Sequence, residues 1–405
     1  MPKLLQINVT SNWGSTGKIA EECNRFARSK GWETYCVYGR YSNPSDSVVI
    51  AGPSSKLDIY EHYVENIFLD REGLASRLAT RKLLRKIADL KPDIIHLHNI
   101  HDHWLNYEIL FKYLNKTDIH IVWTFHDYWA VTGHCSHFVQ AECDKFKSEC
   151  CNCPYIYGHC LPFLDRSNKN FILKKQLFSA NKNLIIVPVS EWVEANVRES
   201  FLKSKDIRLI TNGVDVEVFK PRSTQSNNLK FEGKFVILAV ASQWTSGSKG
   251  LDDYKAMSYM LRDDEVIVLV GVPNHISRDF PENIIGISRT NNQLELAELY
   301  TRADVICSFS SAETFGLTIV EGYACGTPAV VYNNTALPAL IIPETGIVVP
   351  NNDYQAAYQA IQEIRAKGKT AFSDACIALA HNKYSKDRCF GEYIKLYESL
   401  LGKSI

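Results

Sequence analysis

The chain has 405 residues, of which 45% are hydrophobic and 22% are charged. This composition excludes disordered, collagen-like and low-complexity proteins, and the length is enough for roughly two or three domains with sizeable cores. Lys and Arg together number 45, as do Asp and Glu, so the net charge is close to zero. A balanced charge argues against a nucleic-acid partner, because non-specific binding depends on excess positive charge.

No apolar run approaches the roughly 18 residues that a membrane span requires. The N-terminal sequence MPKLLQINVTSNWG has no long apolar stretch and no small-residue cleavage site, so no secretory signal is predicted. We therefore expect a cytoplasmic protein. Thiols stay reduced in that compartment, so the 12 cysteines are not expected to form disulfides.

Short β-rich apolar segments alternate with longer amphipathic segments, in two successive sets. The candidate strands are residues 4–9, 34–38, 94–98, 120–125, 184–189 and 208–211, then 235–241, 265–270, 283–287, 305–309, 328–332 and 346–349. Residues 80–90 carry leucine and isoleucine at helical spacing. Strands that are apolar on both faces and separated by helices are typical of a parallel βαβ sheet.

Two such sets predict an α/β protein with two doubly wound, Rossmann-like domains. The seam is the turn sequence Asn212-Gly213-Val214-Asp215, followed by a polar linker at 221–228. We predict an N-terminal domain at 1–212, a C-terminal domain at 213–385 and a terminal helix at 386–405. That helix is expected to pack back on the N-terminal domain, although its pattern also fits the C-terminal one. Because ligands bind beyond the carboxyl ends of such strands, the two domains would face an interdomain cleft.

The most informative segment is ADVICSFSSAETFGLTIVEGYACGTP, at residues 303–328. A strand ends in a polar loop, and a helix begins near Gly316 and ends at Gly326. Gly316 would let a phosphate approach the free N–H groups of the helix start. Glu313 precedes this helix and Glu321 lies within it, and carboxylates accept hydrogen bonds from sugar hydroxyls. Taken singly, each glutamate is more simply a solvated surface residue.

This Glu-x7-Glu spacing strongly resembles the retaining GT-B glycosyltransferases of glycosyltransferase family 4. Similar motifs follow the family's order, with KPDIIHLHN at 91–99, VSEW at 189–192, ITNGVDVEVFKP at 210–221 and LYTRAD at 299–304. The resemblance implies a GT-B fold and a nucleotide-diphosphate sugar donor bound mainly by the C-terminal domain. It also implies an acceptor held by the N-terminal domain, and transfer with retention of anomeric configuration.

The resemblance assigns roles to residues of the C-terminal domain. Glu313 would hold sugar hydroxyls, and Glu321 would hold the ribose. The backbone of Phe315, Gly316 and Leu317 would contact the sugar and the diphosphate.

Lys249, in the sequence SKGLD, matches the family's diphosphate lysine and would stabilise the departing nucleoside diphosphate. On its own it would be a surface lysine before a turn. The family usually has an arginine a few residues earlier, where this chain has Gln243 or Trp244. Arg289 is a candidate source of the missing charge.

The N-terminal domain carries two further matches. The loop NWGSTGK, with Gly14 and Gly17, resembles the family's glycine-rich loop near the donor phosphate and acceptor, although an ordinary strand–helix turn is about equally plausible. His126, in a His-Asp pair that ends a strand, matches the histidine near the transferred sugar. It would hydrogen-bond the sugar or the reacting centre rather than act as a general base. Without the family, a structural role would be favoured.

Other histidines are expected on the acceptor side. His96 and His98 alternate along one strand and so share a face, and His101 and His103 follow in the next loop. A core or turn role is the favoured alternative for all four. No Asp-x-Asp motif appears, so no catalytic metal is expected.

Six of the 12 cysteines lie between residues 135 and 160, within an insertion at about 133–165. The CxxC pair Cys150 and Cys153, with Cys135 and Cys143, would provide the four thiolates of a tetrahedral zinc site. The HDxWxxTGHC…C…CxxCP pattern resembles a subgroup of the family active in bacterial exopolysaccharide assembly, similar to colanic-acid-type transferases. A structural zinc is the favoured interpretation. Free thiols, an iron–sulfur cluster and reversible disulfides are the alternatives.

A basic stretch suggests contact with an anionic membrane, although a solvated helix face is the favoured alternative. Its members are Arg71, Arg77, Arg81, Lys82, Arg85 and Lys86. Exopolysaccharide transferases often use lipid-linked acceptors, which would bring this protein to the inner face of the plasma membrane.

Together these observations predict a cytoplasmic retaining glycosyltransferase that moves a sugar from a nucleotide-diphosphate donor to a surface polysaccharide or lipid-linked oligosaccharide. One alternative is a nucleotide-sugar epimerase or hydrolase on the same fold, which would convert the donor without an acceptor. Another alternative is a non-catalytic sugar-binding protein that a zinc ion stabilises. Such a protein would keep its biological activity after Glu313 or Lys249 is replaced.

Overall fold

The computed structural model describes residues 1–50, 55–156, 162–222, 231–241, 244 and 247–402. Most of the predicted linker, Gln243 and Cys160 lie outside the described residues. The chain divides into two compact units. The N-terminal unit comprises Met1–Thr211 and Phe390–Ile405, and the C-terminal unit comprises Asn212–Cys389.

The N-terminal unit is built on a seven-stranded parallel sheet. Its strands are β1 (Lys3–Ser11), β2 (Glu33–Ser42), β3 (Val48–Ile50), β4 (Ile94–Leu97), β5 (His120–Phe125), β6 (Leu184–Pro188) and β7 (Asp206–Ile207). Their order across the sheet is β3-β2-β1-β4-β5-β6-β7. Its helices are α1 (Gly14–Ser29), α2 (Lys56–Leu69), α3 (Arg77–Leu90), α4 (Tyr107–Leu114), α5 (Ser167–Ala180) and α6 (Glu191–Glu199). Short 3-10 turns occur at Val139–Ala141 and Lys145–Lys147.

The C-terminal unit repeats the plan with six parallel strands. These are β8 (Phe235–Val240), β9 (Glu265–Val270), β10 (Ile284–Ile287), β11 (Val305–Ser308), β12 (Ala329–Tyr332) and β13 (Gly346–Val349), in the order β10-β9-β8-β11-β12-β13. Its helices are α7 (Leu251–Ser258), α8 (Asn274–Ser277), α9 (Gln293–Arg302), α10 (Leu317–Ala324), α11 (Tyr354–Lys367) and α12 (Thr370–Tyr384), with a 3-10 turn at Leu337–Leu340. The last helix, α13 (Lys386–Leu400), continues into the N-terminal unit. None of the described helices is long and apolar enough to cross a membrane.

Both sheets have the strand order of a doubly wound, Rossmann-like domain, as the alternating pattern predicts. The predicted strands coincide with observed ones, except that the last strand of the first set lies at Asp206–Ile207 rather than at 208–211. Strand β3 was not predicted, because three residues at an exposed edge are too few to show a periodicity. The central strands β4, β6 and β9 are buried along their whole length, which explains why they read as continuous apolar runs.

Helix α13 completes the core of the N-terminal unit. Phe390, Tyr393 and Tyr397 are buried in one hydrophobic cluster with residues such as Leu4 and Ile94. The predicted terminal helix at 386–405 is thus observed at Lys386–Leu400, and its residues from Phe390 onward belong to the N-terminal unit.

A buried chain of hydrogen bonds fastens α13 to the sheet. The Tyr397 hydroxyl lies 2.6 Å from His96 Nδ1, and His96 Nε2 lies 2.8 Å from Thr124 Oγ1. The same threonine oxygen lies 2.9 Å from the Tyr393 hydroxyl. These contacts satisfy polar groups of β4 and β5 that would otherwise be costly to bury.

Burial keeps four imidazoles of the N-terminal unit neutral. It lowers the pKa of His126 to about 4 and that of His62 to about 3. Burial also places the pKa of His96 and His98 well below its ordinary value, and their histidine neighbours add to this effect.

We expect Tyr397→Phe to lower the free energy of unfolding by about 1–3 kcal/mol, because it leaves the buried His96 Nδ1 without its partner. Urea denaturation of the purified protein measures this change. The control is Tyr259→Phe, at an exposed position, which should stay within about 0.5 kcal/mol of the wild type. Equal losses in both variants would contradict the buried hydrogen bond.

We expect the free energy of unfolding to fall as the pH drops from about 6.5 to about 4. In this window the unfolded chain binds protons at these four histidines, while the folded chain keeps the same four imidazoles largely neutral. The His96→Gln variant should therefore show a slope that is smaller by up to about 1.4 kcal/mol per pH unit. Urea melts across this pH range measure it. His275→Gln, at an exposed position, is the control and should keep the wild-type slope.

Candidate active site

The carboxyl ends of β8 and β11 mark the point where the C-terminal sheet changes direction. These two strands are neighbours, but the chain continues from β8 to β9 and β10 on one side and from β11 to β12 and β13 on the other. The loops that leave the two strands therefore diverge, and ligands of doubly wound sheets bind at such a point.

The structure brings Lys249 and Glu313 together at this point. Lys249 follows β8, Glu313 follows β11, and Lys249 Nζ lies 2.5 Å from Glu313 Oε1. Both side chains are partly exposed, so the pair is open to solvent and to a ligand. Lys249 and Glu313 are therefore partners of each other and not isolated surface residues.

Backbone and side-chain hydrogen bonds hold the two loops in place. The Ser311 N–H donates to the Ser248 carbonyl at 2.9 Å, which joins the loop after β11 to the loop after β8. The Asn334 amide donates to the Ser311 carbonyl at 2.7 Å, and the Glu313 N–H donates to Thr335 Oγ1 at 2.9 Å. The positions of the lysine and the carboxylate are therefore set by three strand ends rather than by one.

The start of α10 adds a set of backbone donors directly after Glu313. Gly316 is the N-cap residue, with a φ of +98° that favours glycine, and no side chain caps the helix. A Cβ at this position would lie 2.8 Å from Leu337 Cδ2. The side chain of Phe315 is buried, and Leu317 is partly exposed. An uncapped helix start with its dipole attracts anions such as phosphate.

Glu321 lies further along α10 and has a different neighbour. The Tyr300 hydroxyl, on α9, donates to Glu321 Oε2 at 2.8 Å. Tyr300 is itself buried, so it fixes the direction of the carboxylate. The structure thus joins Glu313 to Lys249, and joins Glu321 to Tyr300.

The structure describes Trp244 and Arg289, two of the residues considered in place of the family's arginine. Trp244 is buried, and its indole N–H donates to the Val270 carbonyl at 2.8 Å, so it serves the core. Arg289 is exposed and follows β10, which is two strands away from β8 and thus roughly 10 Å from it. No described residue forms a hydrogen bond or an ion pair with Arg289.

In the N-terminal unit the glycine-rich loop opens α1. Gly14 is the first residue of the helix, the N-cap residue Trp13 provides no side-chain cap, and the helix start is exposed. Gly17 allows the helix to approach β1, because a Cβ there would lie 2.7 Å from Thr10 Oγ1. This loop therefore also presents an uncapped helix start at the carboxyl end of a central strand.

A small pocket lies at the carboxyl ends of β4 and β5, and residues 98–101, 123–127 and 129–130 line it. His126 belongs to this lining, and its ring is nearly parallel to that of His98, with 13° between the planes. His126 Nε2 lies 2.9 Å from His98 Nδ1, and His98 Nε2 lies 2.7 Å from Gln6 Oε1.

This hydrogen-bond chain assigns the tautomer of His126. The Gln6 carbonyl oxygen can only accept, so His98 carries its proton on Nε2 and accepts at Nδ1. His126 then donates from Nε2, and its Nδ1 is an acceptor. A neutral imidazole with an acceptor nitrogen can bind a hydroxyl group.

The next residue, Asp127, forms an ion pair with His101 at 2.8 Å. Burial alone would raise the pKa of Asp127, but the charge and hydrogen bond of His101 lower it below its ordinary value. Asp127 in turn raises the pKa of His101 against the effect of burial. His103 lies elsewhere, with its Nε2 3.1 Å from the side-chain nitrogen of Asn66 on α2.

The sequence interpretation missed several residues of these sites. Asn334 and Thr335 directly follow β12, and polar residues at the end of a buried strand are the signal that could have found them. Gln6 is a polar residue within the buried strand β1, which is also a visible signal. Tyr300 gives no such signal, because its hydroxyl reaches Glu321 only through the packing of α9 on α10.

Two family models match the chain. The model described as Glycosyltransferase Family 4 matches residues 19–218, and the model described as Glycosyl transferases group 1 matches residues 256–374. Together they match most of the chain. The second match contains Glu313, the start of α10 and Glu321, whereas Lys249 precedes it.

One curated relative and two solved structures extend the comparison over nearly the whole chain. The putative colanic acid biosynthesis glycosyl transferase WcaC of Escherichia coli strain K12 is 22% identical over 416 residues, which cover 98% of this chain and 100% of WcaC. Sucrose-phosphate synthase from Thermosynechococcus elongatus has a TM-score of 0.75 at 17% identity, with 100% of each chain covered. Anabaena HepE, solved in complex with UDP-glucose, has a TM-score of 0.65 at 14% identity, with 98% of this chain and 99% of HepE covered.

These solved structures share the two-domain fold that the sequence predicts, and that prediction is confirmed. The family matches fall on the two Rossmann-like units in the expected order. The chain therefore belongs to the GT-B glycosyltransferases, with a glycosyltransferase family 4 domain followed by a glycosyl transferases group 1 domain.

Proposed function

We propose that this glycosyltransferase moves a sugar from a nucleotide-diphosphate sugar to a surface-polysaccharide or lipid-linked oligosaccharide acceptor, with retention of anomeric configuration. The observation that carries the proposal is the contact between Lys249 and Glu313 beside the uncapped start of α10. A cation, a carboxylate and a helix N-terminus match the charged and hydroxyl groups of a sugar diphosphate.

Donor binding exchanges one ion pair for other contacts. Lys249 Nζ turns from Glu313 to the diphosphate, and the N–H groups of residues 315–317 bind the same phosphates. Glu313 then accepts hydrogen bonds from the sugar hydroxyls. Glu321, held at Oε2 by Tyr300, accepts hydrogen bonds from the ribose. The complex of HepE with UDP-glucose supports a nucleotide-diphosphate sugar as the donor class.

The transfer step needs no protein nucleophile in this scheme. The bond between the sugar C1 and the phosphate oxygen breaks, and the acceptor oxygen bonds to C1 on the same face. The acceptor proton passes to the leaving phosphate oxygen. Lys249 stabilises the charge that develops on the departing diphosphate.

Residues of the N-terminal unit serve the acceptor side. His126 accepts a hydrogen bond at Nδ1 from a hydroxyl near the reacting centre. The uncapped start of α1, with Gly14 and Gly17, contacts the donor phosphate or the acceptor. The name of WcaC, a putative colanic acid biosynthesis enzyme, supports a polysaccharide-type acceptor. Such acceptors place the reaction at the inner face of the plasma membrane.

We expect Lys249→Met and Glu313→Gln each to reduce donor turnover on the order of 10²–10³-fold, because each removes a charge from the donor site. A thermal-shift screen with UDP, GDP and ADP sugars first identifies the donor. A ligand at a hundredfold excess over its dissociation constant stabilises the fold by about 2.7 kcal/mol. Release of nucleoside diphosphate in the presence of acceptor then measures turnover.

Two variants control this experiment. Lys249→Arg keeps the charge and should retain more activity than Lys249→Met. Glu344→Gln neutralises an exposed glutamate of the same unit and should behave as the wild type. Unchanged turnover in Lys249→Met and Glu313→Gln would refute the proposed donor site.

Incubation with donor alone separates transfer from the epimerase or hydrolase alternative. A transferase should release nucleoside diphosphate only when an acceptor is added. Rapid conversion of the donor without an acceptor would favour the alternative.

We also propose that Cys135, Cys143, Cys150 and Cys153 bind a structural zinc ion. Burial raises the pKa of the Cys135, Cys150 and Cys153 thiols, and other cysteines of the set raise it further, which supports one neighbourhood for the four side chains. At Cys150 and Cys153, the backbone N–H groups of Gly133 and Tyr155 act against the effect of burial on the thiol pKa. Backbone donors of this kind stabilise thiolate ligands.

Zinc binding would draw the four sulfurs closer together. In the structure, no three of the four sulfurs lie within 4.8 Å of one another. Among the described residues, the group of potential metal ligands that meets this distance is Glu72, His101 and Asp102. The main chain between the paired cysteines already turns sharply, with a φ of +46° at Asn152. A bound ion would stabilise the conformation of the long insertion between β5 and β6.

We expect Cys153→Ser to lose bound zinc and to melt at a lower temperature than the wild type, because one of four ligands is removed. Metal analysis of the purified proteins and thermal melts with and without a chelator measure this. Cys151→Ser is the matched control, since Cys151 is adjacent but outside the proposed ligand set. A wild type that carries no zinc when purified from zinc-supplemented cells would contradict the site, and iron in its place would favour the cluster alternative.

A further inference from the structure

Two exposed aromatic side chains contact each other at the carboxyl edge of the N-terminal sheet. Trp13 comes two residues after the end of β1, and Tyr41 lies near the end of β2. Their ring centres are 4.9 Å apart, and 46% of Trp13 and 50% of Tyr41 is exposed. We call these two side chains the aromatic pair. Large rings at this edge are unusual on a surface that only meets water, and they suit a ligand that needs apolar contact.

Hydrogen bonds fix the two loops that carry the aromatic pair. Thr10 Oγ1 donates to the Trp13 carbonyl at 2.8 Å. The side-chain amide of Asn43, just after β2, donates to the Asn12 carbonyl at 2.8 Å, and the Asn43 N–H donates to the Ser11 carbonyl at 3.0 Å. The loop after β1 and the end of β2 are therefore held together, so the pair is ordered before any ligand binds.

Arg40 places a positive charge beside the aromatic pair. Its guanidinium carbon lies 5.7 Å from the centre of the Tyr41 ring, within the range of a cation–π contact. Its ion-pair partner is Asp102 at 3.7 Å, which is too far for a hydrogen bond. The N–H donors of Arg40 can therefore bind a further anion.

The aromatic pair lies on the same sheet edge as the pocket that contains His126. Strands β2, β1, β4 and β5 are consecutive neighbours, so the ends of β2 and β1 adjoin the ends of β4 and β5, which form the pocket. Asn8 Oδ1, on β1, accepts the N–H of Asn99 in the pocket lining at 3.1 Å. The ends of β1 and β5 are about 10 Å apart, which a short oligosaccharide can span.

The chemistry of this surface matches a saccharide that carries a negative charge. Sugar rings present C–H groups on their faces, and aromatic faces attract such groups because their quadrupole is negative there. Arginine binds a carboxylate or a phosphate through paired N–H donors. A neutral glycan would use the rings and leave the guanidinium without an anion.

We propose that Trp13 and Tyr41 bind a sugar ring of the acceptor, and that Arg40 binds an anionic group beside that ring. The anion is either a carboxylate of an acidic sugar in the glycan or the phosphate of a lipid-linked sugar. The inference rests on the proposed function, in which an acceptor hydroxyl lies near His126. The aromatic pair would hold the adjoining part of the same acceptor.

Calorimetric titration of the full chain tests this site without any donor. The three probes are hyaluronan tetrasaccharide, which carries carboxylates, glucose 1-phosphate, which carries a phosphate, and cellotetraose, which is neutral. We expect one anionic probe to bind the wild type at least about tenfold more tightly than cellotetraose, because charged hydrogen bonds add affinity. The probe that binds identifies the source of the anion.

Substitutions in the site should weaken binding of that probe. Trp13→Ala and Tyr41→Ala should each weaken it by about tenfold, because each removes a ring on which a sugar stacks. Arg40→Gln should remove the preference for the anionic probe. Trp13→Phe keeps an aromatic face and should bind more tightly than Trp13→Ala. Thermal melts of the same proteins verify that the variants fold.

Two variants elsewhere in the N-terminal unit are the controls. Tyr60→Ala removes an exposed ring of α2. Arg198→Gln removes an exposed arginine of α6 that pairs with an acid, as Arg40 does. Both proteins should bind the probe as the wild type does.

Lys249→Met separates this site from the donor site. It should lose donor turnover and keep probe binding, whereas the proposed function fails if turnover is unchanged. Loss of probe binding in Lys249→Met would assign the probe to the donor site and overturn the inference. So would the absence of binding by both anionic probes, equally tight binding of cellotetraose, or equal binding by the wild type and the variants of Trp13, Tyr41 and Arg40.

Discussion

The ion pair between Lys249 and Glu313 organises the C-terminal site. It joins two loops that leave adjacent strands and then diverge, so it lies where the strand order of that sheet reverses. Opposite charges keep both side chains oriented before any ligand binds. The negative charge of a diphosphate can take the place of Glu313 as the partner of Lys249. The hydroxyl groups of a sugar can donate hydrogen bonds to Glu313 in place of Lys249.

The support for this pair is spread over three strand ends. Ser248, Ser311 and Thr335 each follow a different strand of the C-terminal sheet, and hydrogen bonds connect them to the lysine and glutamate loops. The start of α10 completes the arrangement, because its N-cap residue Gly316, with the uncapped N–H groups that follow, comes three residues after Glu313 in the chain. Loops fixed in this way keep the lysine and the carboxylate in place.

The N-terminal unit uses polar residues in its interior instead. Gln6 lies in β1, His96 lies in β4 and His98 directly follows β4. Hydrogen bonds connect these three buried side chains to His126 and to the tyrosines of α13. Burial keeps the imidazoles neutral, so they act as donors and acceptors rather than as charges. In the same unit, buried hydrogen bonds of His62 and Asn66 hold α2 in place. The opposite, apolar face of α2 is exposed to solvent.

The sequence by itself determined the α/β class, the two doubly wound sheets and the family, because buried parallel strands and the Glu-x7-Glu segment are local patterns of residue type. It also singled out Lys249, Glu313 and the start of α10. Only the tertiary structure decided that Lys249 contacts Glu313, that Tyr300 holds Glu321 and that Trp244 belongs to the core. It also revealed the reversed packing of α2. These features depend on contacts between residues far apart in the chain, and periodicity along the sequence carries no information about which distant side chains meet.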